Sequence, residues 1–311
     1  MINRLVLLQT VSLLILLCPL QGWADESPEP AHRGEPSLGL PPTLPISPPE
    51  LSSESFLSLG VPADRTGNWS VDIANRQESR AFYNSVYLAS EGTESSWNGD
   101  VSGCSQGSTS ADFKNSVMVR INWYREMAGV PSDISFNTVY SDKSQQAALM
   151  MSSNEQLDHD PPSWWSCYTD DGNEAAGSSN LSLGNYGWDA VDGQMRDNGS
   201  NNFVAGHRRW ILYPQTRQMG SGDIPPINGD RSANSLWVFD DNMWGPRPET
   251  RETYVAWPPP GFVPYQVVPP RWSFSYPGAD FSEATVTMSS KGAPLSVDVH
   301  PIATGYGENT I

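Results

Sequence analysis

Residues 206–212 read Gly-His-Arg-Arg-Trp-Ile-Leu, and the rest of the chain is organised around this run. A glycine precedes His207, two arginines follow it, and the run then becomes apolar. Short runs that begin with aromatic and β-branched residues favour strands, so we expect residues 210–213 to form one. A second histidine, His159, lies upstream in a loop that contains prolines. We predict that the two imidazoles line one cleft.

Length and charge limit the class of protein. The 311 residues include 35 acidic side chains against 18 Lys and Arg, and the formal charge is −17. Contacts with phosphates need clustered basic side chains, so nucleic acid is not expected as a partner. The length allows one sizeable domain and a smaller module.

Residues 1–24 are typical of a secretory signal peptide. Arg4 precedes an apolar run over residues 5–20, and Ala24 supplies a small residue for cleavage after it. The run is too short to cross a membrane. Cys18 lies inside the run, which argues against a lipid anchor. We expect a secreted, extracellular protein with no transmembrane segment.

Two cysteines, Cys104 and Cys167, remain after the predicted cleavage. In an oxidising compartment an even pair is most simply a disulfide bond. Closing a loop of about sixty residues would stabilise the fold by roughly 4 kcal/mol. Two free thiols, or metal ligation by Cys167 near His159, are the alternatives.

Composition divides the mature chain into three parts. Residues 25–65 are rich in Pro and Ser and are predicted to be a disordered spacer, because they bury too little apolar surface to offset their ordering entropy. Residues 66–245 form the predicted main domain. Alternating apolar residues in 257–311 predict a smaller antiparallel β module with one buried face. We expect that module to be incomplete, or to need a partner at an open edge.

Helical periodicity comes first in the main domain and strand patterns follow it, which favours an α+β fold. Residues 163–186 are predicted to be a loop. The predicted helices are 72–90, 110–128, 142–152 and 187–196, and the predicted strands are 210–213, 218–222 and 235–239.

The residues alone give weak chemical signals. Two histidines near acidic groups could bind Zn²⁺, but their spacing matches no local metal motif, and a lone histidine is more often structural. No nucleophile elbow, P-loop or dinucleotide fingerprint is present. Ser178 and Ser179 could offer a hydroxyl nucleophile, although loops favour serine in any case.

Five elements between residues 113 and 240 resemble, in order, the CAP domain of cysteine-rich secretory, antigen 5 and pathogenesis-related-1 proteins, also called SCP. The likeness is greatest to the secreted bacterial branch. The elements are Asn122-Trp123-Tyr124-Arg125 with Ala128-Gly129-Val130-Pro131, Ala147-Ala148 with Asp158-His159, Gly177–Leu181, Asp189–Met195, and Gly206-His207-Arg208.

The resemblance implies a three-layer α-β-α sandwich whose cleft holds two histidines and two acids and binds Zn²⁺ or another divalent cation. His159 and His207 correspond to the family histidines and are the predicted metal ligands. Asp189 corresponds to the second acid, with Asp192 as the alternative. The predicted cleft residues are His159, Ser179, Asn180, Asp189 and His207.

One position departs from the family pattern. Ser179 precedes Asn180 where the family has glutamate. A hydroxyl is no general base near neutral pH and adds no charge to hold a dication. The departure favours binding over catalysis.

Three functions follow as hypotheses. The first is a secreted protein whose cleft binds a lipid, glycan or peptide, with or without zinc. Its partner would be a small ligand or an extracellular protein or glycan. The second is a peptidase-like or esterase-like hydrolase, in which His159, His207 and Asp189 hold a zinc ion that lowers the pKa of a bound water. The third is a structural or adhesive surface module.

Overall fold

The computed structural model describes residues 36–44, 69–300, 304–308 and 310–311. The predicted signal peptide lies outside these residues. Within them a five-stranded sheet separates two helical layers, so the predicted three-layer α-β-α architecture is confirmed. In the same part of the chain, no helix has both the length and the apolar character needed to cross a bilayer.

Single strands separate pairs of helices in the first part of the chain, and only strands and short 3-10 turns follow α6. The helices are α1 Arg76–Phe82, α2 Ala111–Ala128, α3 Thr138–Asn154, α4 Asp170–Gly177, α5 Gly187–Arg196 and α6 Gly206–Ile211. The strands are β1 Ser37–Leu38, β2 Ser135–Phe136, β3 Ser179–Leu183, β4 Gln218–Ile224, β5 Ala233–Trp237, β6 Val255–Trp257, β7 Ser273–Ser275, β8 Met288–Ser290 and β9 Ala293–Leu295.

The main sheet has the order β1-β3-β5-β4-β2. Its neighbours are antiparallel except β2 and β4. Side chains alternate across the sheet, so Leu236 packs with α2, α5 and α6, while Trp237 packs with α3 and α4. The sheet therefore has a separate apolar core on each face.

Helix α2 confirms the clearest helix prediction. Ser110 caps its N-terminus by accepting from the Phe113 N–H, and Gly129 ends it in the left-handed conformation. The predicted stripe of Phe113, Val117, Ile121 and Tyr124 is buried. This stripe fixes one wall of the core on the α5–α6 side.

Helix α3 lies directly on strand β4. A Cβ added at Gly222 would come within 2.1 Å of the Ser144 backbone, so the two elements approach closely only because this residue is glycine. The fully buried Ala147 and Ala148 are small enough to permit close packing on the same helix.

The prediction of a loop over residues 163–186 is wrong for its second half. Thr169 caps helix α4 by accepting from the Gly172 N–H, and strand β3 follows. All five β3 residues are buried although three are polar. The polar sequence hid the strand from prediction, because Asn180 and Ser182 form hydrogen bonds with Gln194 inside the protein and do not face solvent.

The predicted strand at residues 210–213 is also wrong, because helix α6 covers Gly206–Ile211. Trp210 and Ile211 are both fully buried in the core on the α5–α6 side. A short apolar run that is buried all round does not distinguish a helix from a strand by its periodicity.

The described part of the predicted spacer differs from the disorder expected of it. Residues 36–44, called the strap below, add β1 to the edge of the main sheet by pairing with β3. Pro41 and Pro42 are buried. The strap is ordered because an existing sheet edge and two neighbouring side chains supply the contacts that its own sequence lacks.

Trp257, where the predicted C-terminal module begins, packs on the main domain. Trp257 ends β6, is buried in the main core, and packs edge-on against Tyr124. The predicted single sheet is two small sheets, β6–β7 and β8–β9. The face predicted to be buried is open in the second, where Leu295 is exposed. Thr310 forms an isolated antiparallel β-bridge with Ser275, the last residue of β7.

The predicted disulfide between Cys104 and Cys167 is confirmed, with a Cα–Cα distance of 5.1 Å. It joins the loop before α2 to the loop before α4. The alternatives of free thiols and metal ligation by Cys167 are therefore wrong.

Candidate functional site

His207 lies in the first turn of α6 and is fully buried. Its Nδ1 is 2.8 Å from Oδ1 of Asp197, which ends α5 in the left-handed conformation. The other carboxylate oxygen accepts from the Arg208 N–H at 3.2 Å. One buried acid thereby fixes both the imidazole and the start of the helix that carries it.

His159 follows α3 and is half-buried. Its Nδ1 lies 2.6 Å from the Ala176 carbonyl oxygen, and its Nε2 lies 2.6 Å from the Leu40 carbonyl oxygen of the strap. The ring therefore clamps the strap to the end of α4.

The strap lies between the two histidine-bearing elements. Its Leu40 contacts His159, and the next residue, Pro41, packs on Gly206, the residue before His207. The Trp210 indole N–H donates to the Pro42 carbonyl at 2.7 Å. We call this channel the strap groove; it is lined by β3, His159, Gly206, Trp210 and Gly305.

Ser179 and Asn180, predicted in a turn, begin strand β3. The Asn180 amide donates to the His207 carbonyl at 3.1 Å and to Gln194 Oε1 at 3.2 Å. Three buried atoms here have no hydrogen-bond partner among the described residues: Ser179 Oγ, Asn180 Oδ1 and His207 Nε2. The sequence prediction thus named residues with unused hydrogen-bonding capacity.

A layer of buried polar side chains between α5 and the main sheet supports this region. Gln194 donates to Ser182 and Asn234, and Asn234 donates to Asp223. Asp223 also accepts from the Gly187 N–H at 2.6 Å, which holds the start of α5. Burial raises the pKa of Asp223 above its usual value.

The predicted acids lie elsewhere on α5. Asp189 is exposed. When the Asn185 side-chain amide is oriented to donate, its nitrogen lies 3.2 Å from the Asp189 carboxylate. Asp192 is buried and binds Arg120, Tyr87 and Tyr124. The carboxylate that contacts His207 is that of Asp197, and a cleft role for Asp189 stays a prediction.

Zinc binding stays a prediction that this geometry does not favour. Across the described ranges, no group of three or more His, Cys, Asp and Glu side chains is placed to hold a metal ion. Both nitrogens of His159 face carbonyl oxygens, and His207 Nδ1 faces Asp197. The residues present do not form a zinc ligand set, so no chemical step is assigned to a metal here.

Sequence reasoning missed Asp197, Trp210 and the strap as parts of the site. Asp197 reads as an ordinary acid at a helix end, and Trp210 reads as core. The strap carries Leu-Pro-Pro at 40–42, a motif that predicts extended backbone but not where it docks. No local signal could have joined these residues to the histidines.

Comparison with known proteins gives a family match. A family model described as "Cysteine-rich secretory protein family" (CAP) matches residues 119–237. Matching solved structures include venom allergen-like protein 4 of Schistosoma mansoni, at 10% identity and a TM-score of 0.28, with 46% of this chain and 97% of that chain covered. No curated protein matches the sequence.

Proposed function

We propose that the chain, whose residues 119–237 match the CAP family model, is a secreted binding protein whose strap groove takes an extracellular ligand. The ligand class is a lipid, a glycan or a peptide. The predicted signal peptide and the Cys104–Cys167 disulfide support an oxidising, extracellular setting.

The observation that carries this proposal is the cluster of unused polar atoms. Asn180 Oδ1 and His207 Nε2 lack partners among the described residues, and the Asn180 amide joins β3 to α6. Ser179 Oγ also lacks one, but Ser179 pairs with Trp237 and faces the α3–α4 side of the sheet. A buried polar group without a partner costs about 1–3 kcal/mol, so native proteins retain few of them. The Asn180 and His207 atoms both lie on the α5–α6 side of the sheet, and this supports a role in holding a ligand.

Binding is favoured over hydrolysis by the same residues. Asp197 orients His207 as an acid orients a catalytic base. Ser179 stands where the family has glutamate, and a hydroxyl does not act as a base near neutral pH. The groove thus offers recognition without a complete acid–base pair.

Calorimetric titration of the purified full chain tests the proposal with palmitate, chitotriose, a proline-containing peptide and Zn²⁺ as separate probes. We expect at least one organic probe to bind, and the Asn180→Ala variant to bind it at least about tenfold more weakly, since about 1.4 kcal/mol is lost with one hydrogen-bonding group. Thr250→Ala, far from the groove along the chain, is the matched control. Saturable turnover of a peptide or ester that is lost in His207→Gln would contradict the proposal.

A further inference from the structure

We propose that the strap groove is a binding site for extended peptides with two consecutive prolines, and that the strap is its tethered, displaceable occupant. The inference rests on the proposed binding function and names its ligand class. It follows from how the groove holds residues 36–44.

The groove recognises main chain more than side chains. His159 Nε2 contacts the Leu40 carbonyl at 2.6 Å, and the Trp210 indole donates to the Pro42 carbonyl at 2.7 Å. The Leu40 side chain itself is 61% exposed. The His159 and Trp210 rings thus contact two main-chain carbonyls that are two residues apart. This spacing suits a peptide with an extended or polyproline II backbone.

Strand pairing extends this recognition at both ends of the strap. Leu38 pairs with Ser182 in the antiparallel β1–β3 ladder, so the strap adds a strand to an existing sheet edge. At the other end the Leu44 N–H donates to the Gly305 carbonyl at 3.2 Å. These contacts are available to any peptide backbone of suitable conformation.

The two prolines supply the selectivity. Pro41 and Pro42 are buried, and a Cβ at Gly206 would lie 2.4 Å from Pro41 Cγ. The ring therefore occupies the space left by the missing side chain of Gly206. Proline also loses little conformational entropy on binding, and neither buried proline brings an N–H that must be satisfied.

The protein side of the groove retains unused capacity. His207 Nε2 and Asn180 Oδ1 have no partner among the described residues even with the strap in place. The strap is therefore an incomplete ligand for this region. A peptide with an additional polar group could bind these atoms and displace it.

The test uses the full chain and a fluorescent peptide with the sequence of residues 36–44. In the wild type the tethered strap competes at an effective concentration on the order of millimolar, so we expect weak binding. In the Pro41→Gly/Pro42→Gly double variant we expect binding at least about tenfold tighter, because the competitor is weakened. A peptide with glycine at both proline positions should bind neither protein.

Two further variants locate the binding. Gly206→Ala in the double-variant background places a methyl group where the peptide prolines pack, and should weaken binding at least about tenfold. Gly193→Ala, whose new Cβ meets only the end of the Asn185 side chain at 3.3 Å, should not. Equal peptide affinity in the wild type and the double variant, or in Gly206→Ala and Gly193→Ala, would overturn the inference.

Hydrogen exchange of the wild type keeps the inference testable if the double variant does not fold. Saturating peptide should speed amide exchange in residues 37–40 and leave α2 unchanged; unchanged exchange in the strap would overturn displacement. Binding of palmitate or chitotriose without any peptide binding would overturn this inference and leave the proposed function standing. Failure of every organic probe would reject both.

Discussion

At the scale of single residues, one buried carboxylate organises the candidate site. Asp197 binds both the His207 imidazole and the Arg208 N–H, and all three residues are buried. Arg208 donates to the Met195 and Arg196 carbonyls, and burial lowers the pKa of its guanidinium to about 10, so it remains a cation at neutral pH. His207 is therefore fixed from the α5 side.

Removing that carboxylate should destabilise the protein. Asp197→Ala leaves two buried donors unpaired, and we expect the free energy of unfolding to fall by about 3 kcal/mol. Asp197→Asn keeps one acceptor oxygen and should lose less. Urea denaturation of both variants measures this, and equal losses would show that the carboxylate oxygens do not hold His207 and Arg208.

Asp223 gives a prediction of pH dependence. Burial raises its folded-state pKa above the ordinary value of 3.8, so between these two values the folded state binds more protons than the unfolded state. Stability contributed by this group therefore falls as pH rises through that window. Asp223→Asn removes the ionisable group, and its stability relative to wild type should rise as the pH increases above about 4. A pH-independent difference in urea denaturation would contradict the raised pKa.

Residue identity could be predicted only in part. His159, His207, Ser179 and Asn180 were found through the resemblance, and the structure places them at or beside the strap groove. Asp189 lies exposed on helix α5, and its cleft role stays a prediction. The contact of Asp197 with His207 depends on a helix-end geometry that no sequence motif encodes.

At the scale of elements, amphipathic helices were predictable and buried polar elements were not. The apolar stripe, cap and terminal glycine of α2 predict its bounds directly. Strand β3 is polar because Asn180 and Ser182 face Gln194 across the interior. Such a strand resembles a loop until its partner helix is known. The sequence pattern shows which residues are polar, but not whether their side chains find hydrogen-bond partners inside the protein.

The close approach of α3 to β4 yields an element-scale prediction. Gly222→Ala would place a methyl group 2.1 Å from the Ser144 backbone, which cannot move away as a flexible side chain can. We expect a loss of about 3 kcal/mol or more in the free energy of unfolding. Gly193→Ala in α5 is the matched control and should be neutral or stabilising, because alanine favours a helix. Similar thermal denaturation midpoints for the two variants would refute this packing.

At the scale of the whole molecule, distant segments complete one fold. The strap enters at a sheet edge, Trp257 fills the α2 core, and the Cys104–Cys167 bond ties two loops together. The cysteine count correctly predicted the disulfide, and the helix and strand patterns correctly predicted an α+β fold. Composition could not predict that the Pro-rich segment and the C-terminal strands pack on the domain, because those contacts depend on tertiary neighbours.

The disulfide should contribute to global stability. Its cysteines are 63 residues apart, and the chain-entropy model gives about 4 kcal/mol for a loop of that size. A Cys104→Ala/Cys167→Ala variant should therefore unfold at lower urea concentration with the same ligand specificity. Unchanged stability would mean that the unfolded chain is not restrained by this bond.

The central claim is that the strap fills the groove between the His159 loop and helix α6, and amide hydrogen exchange by mass spectrometry tests it most directly. In the wild type, we expect protected amides in residues 37–40. In Gly206→Ala the methyl group meets Pro41, so the same amides should exchange faster while α2 and α3 stay protected. Fast strap exchange in the wild type, or identical exchange in the two proteins, would contradict the account.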